Sequence, residues 1–147
     1  IAARRLGAAD RGDGIERVAR EDARVVVRPP VPPASVGETM RAYDLVAVPS
    51  LAMETGPLVV LEAFAAGVPV LGSDRGGIAE LVRDGVDGLL LPPRAEAWAR
   101  TLASLASDRP AVERLRNGIR PGRTVADVVS DMLDLYAALV PLPATAA

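Results

Sequence analysis

Hydrophobic and polar positions follow two alternating periods along this chain. Short apolar runs rich in Val and Leu predict strands, and the segments between them repeat their apolar residues every three or four positions, as helices do. The predicted strands cover residues 1–7, 23–28, 45–48, 68–72 and 88–91. Residues 8–14 are predicted as a loop. The predicted helices cover 15–21, 35–42, 57–66, 78–83, 110–117 and 125–139, and a further helix includes 98–106. This alternation predicts an α/β fold, doubly wound, with a mostly parallel sheet of about five strands.

Several predicted helix ends carry local signals. Ser35 with Glu38 three residues later, and Thr124 with Asp127, match the pattern of a capping box. Gly67 follows the predicted helix 57–66 and is a typical stop signal. These signals place the helix boundaries more firmly than periodicity alone does.

The composition of the chain narrows the possible functions. A length of 147 residues supports one domain. No apolar run reaches the length of a membrane span, and a net charge of −2 with interspersed signs offers no basic stripe for nucleic acid. Cys and His are both absent, which excludes thiolate chemistry, Ser-His-Asp triads and His-based metal sites. No acidic cluster resembles a Mg²⁺ cage, so neither a metal nor a cofactor is expected.

The segment from Glu54 to Glu62 is the most informative about chemistry. Pro57 is predicted to start a helix, so the free amides of Leu58 and Val59 would point out of a helix start that favours an anion. Carboxylates repel phosphate, and Glu54 and Glu62 would therefore serve as hydrogen-bond acceptors for hydroxyl groups. Amides that donate hydrogen bonds to phosphate, flanked by carboxylates that accept hydrogen bonds from hydroxyl groups, predict a site for a sugar nucleotide.

Three loops are expected at one edge of the sheet. They cover residues 28–31, 49–56 and 73–77, and each follows a predicted strand. Open parallel sheets bind ligands outside the carboxyl ends of their strands, so the three loops are predicted to converge on one crevice.

The same segment resembles a known family. The spacing of seven residues between Glu54 and Glu62, and the continuation Glu-Ala-Phe-Ala-Ala-Gly-Val-Pro-Val over residues 62–70, look like the donor-site segment of retaining glycosyltransferase family 4, of GT-B architecture. The similarity extends through residues 42–50 and 76–93. It implies that residues 1–140 form the donor-binding C-terminal domain of such an enzyme. Residues 141–147, small and Pro-rich, are expected to be a flexible tail.

The resemblance also implies roles for individual residues. Glu62 would accept hydrogen bonds from the ribose of the nucleotide, and Glu54 would contact the donor sugar as the catalytic residue. The nucleotide is also expected to contact Arg28 and Pro29. The sugar or the diphosphate is expected to contact Thr55, Gly56, Pro57, Leu58, Val59, Arg75 and Gly76. The pair Gly76–Gly77 is either a tight turn or a place where a ligand approaches the backbone. Asp74 and Glu80 are interpreted mainly as structural, capping a helix or pairing with Arg.

The reaction implied is transfer of a hexose from a nucleotide diphosphate sugar to a hydroxyl acceptor with retention of configuration. The expected partners are the donor and an N-terminal acceptor domain of the same protein. The chain begins at Ile1 without Met, so we expect it to be a piece of a longer protein. Without an acceptor site it is expected to be inactive alone. The protein is expected to be cytoplasmic, with any peripheral membrane association made through the other domain. Two alternatives stay open: a sugar-nucleotide epimerase of GT-B architecture, and a non-catalytic α/β signalling or binding module.

Overall fold

The computed structural model of this protein describes residues 2–3, 12–120 and 122–139. The chain divides into two compact units, residues 1–36 and 37–147. No helix in the described part of the chain is both long enough and apolar enough to cross a membrane.

The first unit contains one pair of parallel strands. Strand β1 (Ala2–Ala3) pairs with β2 (Val26–Val27), and helix α1 (Gly12–Glu21) lies between them in the chain. A 3-10 turn over Pro33–Ser35 follows. The parallel pairing across a helix is the βαβ arrangement that the alternating pattern predicts.

Two predictions for the first unit are wrong in extent. Helix α1 begins at Gly12, although residues up to 14 are predicted as a loop, and residues 4–11 lie outside the described part. The predicted strand 23–28 shrinks to two residues because Asp22 starts a turn. The Val25 amide donates to the Asp22 carbonyl at 2.9 Å, and the Asp22 carboxylate accepts from the Arg24 amide at 2.9 Å and from its guanidinium at 2.7 Å. The hydrogen bonds from the Arg24 side chain and then its amide lower the pKa of Asp22 to about 2.

The second unit is built on a three-stranded parallel sheet. Its strands are β3 (Val46–Val48), β4 (Val70–Ser73) and β5 (Gly88–Leu91), in that order, and all four residues of the central strand β4 are buried. The helices are α2 (Val36–Arg41), α3 (Leu58–Ala65), α4 (Gly76–Leu81), α5 (Ala95–Ser107), α6 (Arg109–Gly118) and α7 (Val125–Leu139). The predicted α/β class with parallel strands is confirmed, and the five described strands fall into sheets of two and three.

Helices cover both faces of this sheet. Helices α3 and α4 pack on one face around a buried apolar cluster formed by Val48, Val60, Ala63, Val70, Ile78 and Val82. Leu71 follows Val70 in the strand and therefore points to the opposite face. There it lies beside Leu89, Leu105 of α5 and Leu115 of α6. The sheet is therefore doubly wound, as predicted.

The helix ends follow local chemistry closely. Gly67 has φ +72°, the left-handed conformation that ends α3 as predicted. Thr124 and Asp127 form the predicted capping box: the Thr124 amide donates to Asp127 Oδ2 at 2.7 Å, and the Asp127 amide donates to Thr124 Oγ1 at 3.2 Å. Helix α6 has a cap that the sequence analysis missed, in which the Asp108 carboxylate accepts from the Ala111 amide at 3.0 Å.

Candidate functional site

The candidate site lies at the carboxyl ends of β3 and β4. The loop after β3, residues 49–57, meets the first turn of α4, which begins shortly after β4. The Gly77 amide donates to the Glu54 carbonyl oxygen at 2.6 Å, and Arg75 Nη1 lies 3.5 Å from the Leu51 carbonyl oxygen. The loops at 49–56 and 73–77 therefore meet, as predicted. The third predicted loop, 28–31, belongs to the first unit, and its convergence with the other two stays a prediction.

The Gly76–Gly77 pair serves a close approach of backbone to backbone. Gly76 has φ +49°, and a Cβ atom placed on it would lie 2.8 Å from the Glu54 carbonyl oxygen. A Cβ atom on Gly77 would lie 2.9 Å from the same oxygen and 3.0 Å from Pro57 Cδ. Side chains at these two positions would collide with the Glu54 loop. Gly76 and Gly77 are the first two residues of α4, so the pair is not a tight turn ahead of the helix, and its close neighbour is the Glu54 loop. The approach of a ligand to this backbone stays a prediction.

The start of α3 exposes Leu58, while Pro57 is buried and Val59 half-buried. Pro57 occupies the N-cap position with ψ 101°, so the helix begins at Leu58, one residue later than predicted. The Val60 amide donates to the Pro57 carbonyl at 3.0 Å. Within the described ranges, the amides of Leu58 and Val59 donate to no backbone carbonyl. A helix start with free amides is the geometry that an anion site needs.

Glu62 lies on the exposed face of α3, four residues after Leu58. Val60 and Ala63 form the buried face of this helix. Glu62 itself is exposed, and so it is accessible to a ligand. In the part of the chain that the structure describes, neither the Glu62 carboxylate nor the half-buried Glu54 carboxylate has a hydrogen bond or an ion pair. Both are available as acceptors.

The remaining predicted contact residues differ in their exposure to solvent. Thr55, Gly56 and Arg75 are exposed, and Gly76 is half-buried. Arg28 and Pro29 follow β2 in the first unit, and both are exposed.

Asp74 and Glu80 do not have the structural roles that were predicted. Helix α4 begins after Arg75 without a side-chain cap, and neither carboxylate forms an ion pair with any residue that the structure describes. Asp74 contributes through its backbone, whose amide donates to the Leu91 carbonyl at 2.8 Å. That bond continues the pairing of β4 with β5 by one residue.

Two features of the site were missed from the sequence. Large apolar side chains are exposed around it, with relative exposures of 62% for Leu51, 71% for Met53, 70% for Leu58 and 44% for Leu61. Apolar residues in a loop that precedes a helix were the available signal, since loops usually carry polar residues. Ser73, at the end of β4, is fully buried, and its Oγ has no hydrogen-bond partner among the described residues.

The described residues contain no group of three or more acidic, His or Cys side chains that could hold a metal ion. The chemistry available at this edge is therefore that of carboxylates, guanidinium groups and backbone amides. Such groups can bind hydroxyls and phosphates.

Comparison with known proteins decides the family. A family model described as "Glycosyl transferases group 1" matches residues 21–121, more than half of the chain. This chain belongs to that family. The D-inositol 3-phosphate glycosyltransferase of Nocardia farcinica is 41% identical over 121 residues, which cover 78% of this chain and 26% of that protein. The chain thus spans about a quarter of the length of this relative.

Solved structures agree with the family assignment. Anabaena Alr3699/HepE in complex with UDP superimposes with a TM-score of 0.67 at 29% identity, over 88% of this chain and 35% of that chain. The sucrose-phosphate synthase of Thermosynechococcus elongatus superimposes with a TM-score of 0.74 at 26% identity, over 86% of this chain and 33% of that chain. This group 1 domain has the Rossmann-like fold of GT-B glycosyltransferases. The comparisons give no support to an epimerase or a signalling module.

Proposed function

We propose that this chain is the donor-binding domain of a retaining family 4 glycosyltransferase, which moves a hexose from a nucleotide diphosphate sugar to a hydroxyl acceptor. The observation that supports this most directly is the pair of unpartnered carboxylates, Glu54 and Glu62, beside the free amides at the start of α3. This arrangement lies at the edge where open parallel sheets bind ligands.

The donor would bind with its ribose at Glu62, its diphosphate at the start of α3 and its sugar at Glu54. Glu62 accepts hydrogen bonds from the ribose hydroxyls, and the amides of Leu58 and Val59 hold the diphosphate. Glu54 contacts the donor sugar and is the proposed catalytic residue. Free amides at a helix N-terminus carry partial positive charge, so they suit a diphosphate.

The other predicted residues complete the donor site. The exposed Arg75 lies on the same edge and supplies positive charge for the diphosphate. Thr55, Gly56 and Gly76 line the sugar side. Arg28 and Pro29, which follow β2, are proposed to contact the base of the nucleotide.

The chemistry would rest on positioning and electrostatics. The chain contains no His and no Cys, so the leaving diphosphate is proposed as the base that accepts the proton of the acceptor hydroxyl on the same face of the sugar. Helix amides and Arg75 stabilise the negative charge that develops on the diphosphate. We expect transfer to need no metal ion.

The rest of the protein would supply the acceptor site. The chain spans 26% of the Nocardia farcinica relative, and we propose that an N-terminal domain of the same polypeptide places the acceptor hydroxyl against the anomeric carbon. The enzyme is proposed to be cytoplasmic, to bind no nucleic acid, and to touch a membrane only through that domain.

Calorimetric titration of the chain tests the donor assignment. The ligands are UDP, GDP and ADP, each with and without an esterified glucose, and UDP comes first because Alr3699/HepE was solved in complex with UDP. The control away from the site is Glu113→Gln. Glu113 is half-buried and pairs with Arg109 at 3.8 Å and Arg116 at 3.9 Å, so the thermal stability of this variant is measured alongside its affinity. Glu113 lies on α6, whose first residue, Arg109, pairs with Asp44 ahead of β3 at 2.9 Å and so marks the opposite edge of the sheet.

We expect one nucleotide to bind the native chain and the Glu113→Gln variant equally, and to bind Glu62→Gln more weakly. Absence of binding for the whole panel would contradict the proposed function. Proton NMR of the product of the full-length enzyme tests retention, because the anomeric coupling constant distinguishes the two configurations. An inverted product would contradict the assignment to a retaining family.

A further inference from the structure

We infer that Gly76 and Gly77 are positioning residues for Glu54, and that their contact with the Glu54 backbone sets the affinity for the sugar part of the donor. This inference rests on the proposed function, because Glu54 is assigned to the donor sugar there. It assigns a role in the reaction to residues that contact no reacting atom.

The Glu54 backbone is held from α4. The 2.6 Å hydrogen bond from the Gly77 amide ends on the Glu54 carbonyl oxygen. Gly77 is buried, and a hydrogen bond shielded from water is electrostatically stronger than an exposed one. The loop after β3 is therefore fixed to an element that continues from the central strand β4.

The contact leaves no space for a side chain. A Cβ atom on Gly76 would lie 2.8 Å from the carbonyl oxygen and 3.2 Å from the amide nitrogen of Glu54. A Cβ atom on Gly77 would lie 3.0 Å from the carbonyl carbon of Thr55 and 3.0 Å from Pro57 Cδ. These neighbours are backbone and ring atoms, which cannot rotate away as the end of a flexible side chain can. An alanine must therefore displace the loop itself.

The displacement would reach Glu54 and spare Glu62. Helix α3 is anchored in the core by Val60 and Ala63, both with 0% exposure. The loop movement reaches the start of α3 through Pro57, which a Gly77 Cβ atom would meet at 3.0 Å. Glu62, one turn further along the anchored helix, should stay in place. An alanine at Gly77 should therefore weaken the sugar contact and leave the ribose contact unchanged.

Gly85 provides a matched control for backbone strain. It has φ +72°, comparable to the φ of +49° at Gly76, and a Cβ atom on it would meet no atom within 4 Å. Gly85→Ala therefore introduces an unfavourable left-handed alanine without touching the Glu54 loop. Gly76 is itself proposed to line the sugar side, so the comparison that isolates the contact with Glu54 is that of Gly85→Ala with Gly77→Ala, because Gly77 is buried.

The test compares two ligands in the full-length enzyme. Calorimetry measures the dissociation constants of the preferred nucleoside diphosphate and of its glucose ester. The proteins compared are the native enzyme, the single variants Gly77→Ala, Gly76→Ala, Gly85→Ala and Glu54→Gln, and the double variant Gly77→Ala with Glu54→Gln. For Gly77→Ala and Gly76→Ala we expect a rise of about tenfold in the dissociation constant of the sugar ester, since small misplacements of contacting groups are costly. The constant of the nucleoside diphosphate should rise much less, because only Pro57 of the diphosphate site meets the added atom. Gly85→Ala should change neither constant.

The double variant gives the sharpest signature. If Gly77 acts through Glu54, the double variant should bind the sugar ester no more weakly than Glu54→Gln alone. Losses that add, or equal losses for both ligands in Gly77→Ala, would overturn the inference.

Hydrogen exchange in the native enzyme keeps the test independent of whether the variants fold. The Gly77 amide should be protected further by the sugar ester and not by the nucleoside diphosphate, because only the sugar engages the Glu54 loop. Equal protection by both ligands would overturn the inference alone. Failure of the native enzyme to bind any donor would overturn the proposed function as well.

Discussion

The Gly77 amide and the Glu54 carbonyl oxygen lie 2.6 Å apart and join the first turn of α4 to the loop that follows β3. The bond leaves the Glu54 carboxylate without a partner among the described residues. The backbone at Glu54 is thus fixed while its side chain is free to bind.

The two carboxylates should respond differently to amidation. Glu62→Gln should weaken binding of a nucleoside diphosphate, because a neutral amide accepts hydrogen bonds from ribose hydroxyls less strongly than a carboxylate does. Glu54→Gln should leave that affinity nearly unchanged, because the ligand carries no sugar at its diphosphate. Calorimetric titration with UDP, or with the nucleotide that the panel selects, measures both. The reverse order of effects would contradict the assigned roles.

The end of α6 should tolerate no side chain at Gly118. A Cβ atom there would lie 1.8 Å from the Val86 carbonyl oxygen, and the Gly118 carbonyl accepts a hydrogen bond from Arg83 Nη2 at 2.7 Å. Gly118→Ala should lower the free energy of unfolding by about 1–3 kcal/mol, the usual cost of overpacking. Gly122→Ala is the control, because no atom lies within 4 Å of a Cβ atom there.

Urea denaturation measures both variants. The Gly122→Ala variant should stay within about 0.5 kcal/mol of the native chain. Equal stability of the two variants would mean that α6 does not pack against the turn at Val86.

The start of α7 should depend on pH. Hydrogen bonds from the Thr124 amide and then its hydroxyl lower the pKa of Asp127. A carboxyl whose pKa is lowered by folding stabilises the folded form above its ordinary pKa of about 3.9, and this contribution is lost as the pH falls through the lower folded value. We therefore expect the helical Cα chemical shifts of residues 125–129 to decrease below about pH 4.

Substitution by Asn identifies the group that titrates. Asp127→Asn should remove this pH dependence. Asp134→Asn, in the same helix but away from its first turn, should preserve it. A pH dependence that survives Asp127→Asn would contradict the role of the capping box.

The chain alone should bind a donor and not transfer its sugar. Transfer needs the acceptor hydroxyl placed against the anomeric carbon, and positioning of this kind accounts for many orders of magnitude in rate. The chain corresponds to 26% of its Nocardia farcinica relative. Incubation with the donor that it binds and a panel of acceptors that includes D-inositol 3-phosphate should give no product above background. Robust transfer by the chain alone would contradict the division of labour proposed here.

Local chemistry was predictable from the sequence where it is set by neighbouring residues. Strand β5 has the predicted bounds, Gly88–Leu91. Gly67 and the pair Thr124–Asp127 act as predicted, because a stop signal and a capping box depend on a few consecutive residues. The strand predicted over 23–28 is shorter than predicted, because the local turn at Asp22 competes with strand pairing.

Tertiary relations were less accessible from the sequence. Helix α3 is apolar on nearly all sides, so its periodicity does not tell which face is buried, and the exposure of Glu62 could not be read from it. The need for glycine at Gly76 and Gly77 comes from the Glu54 loop, which is distant in sequence and is brought close by the parallel sheet. The pattern of residues therefore predicted which segments form the site, while the contact between them required the structure.

A crystal structure of the chain soaked with the nucleoside diphosphate that it binds tests the central claim most directly. Phosphate oxygens should lie about 3 Å from the amide nitrogens of Leu58 and Val59, with the ribose hydroxyls within hydrogen-bond distance of the Glu62 carboxylate. Ligand density found only away from the start of α3 would contradict the account.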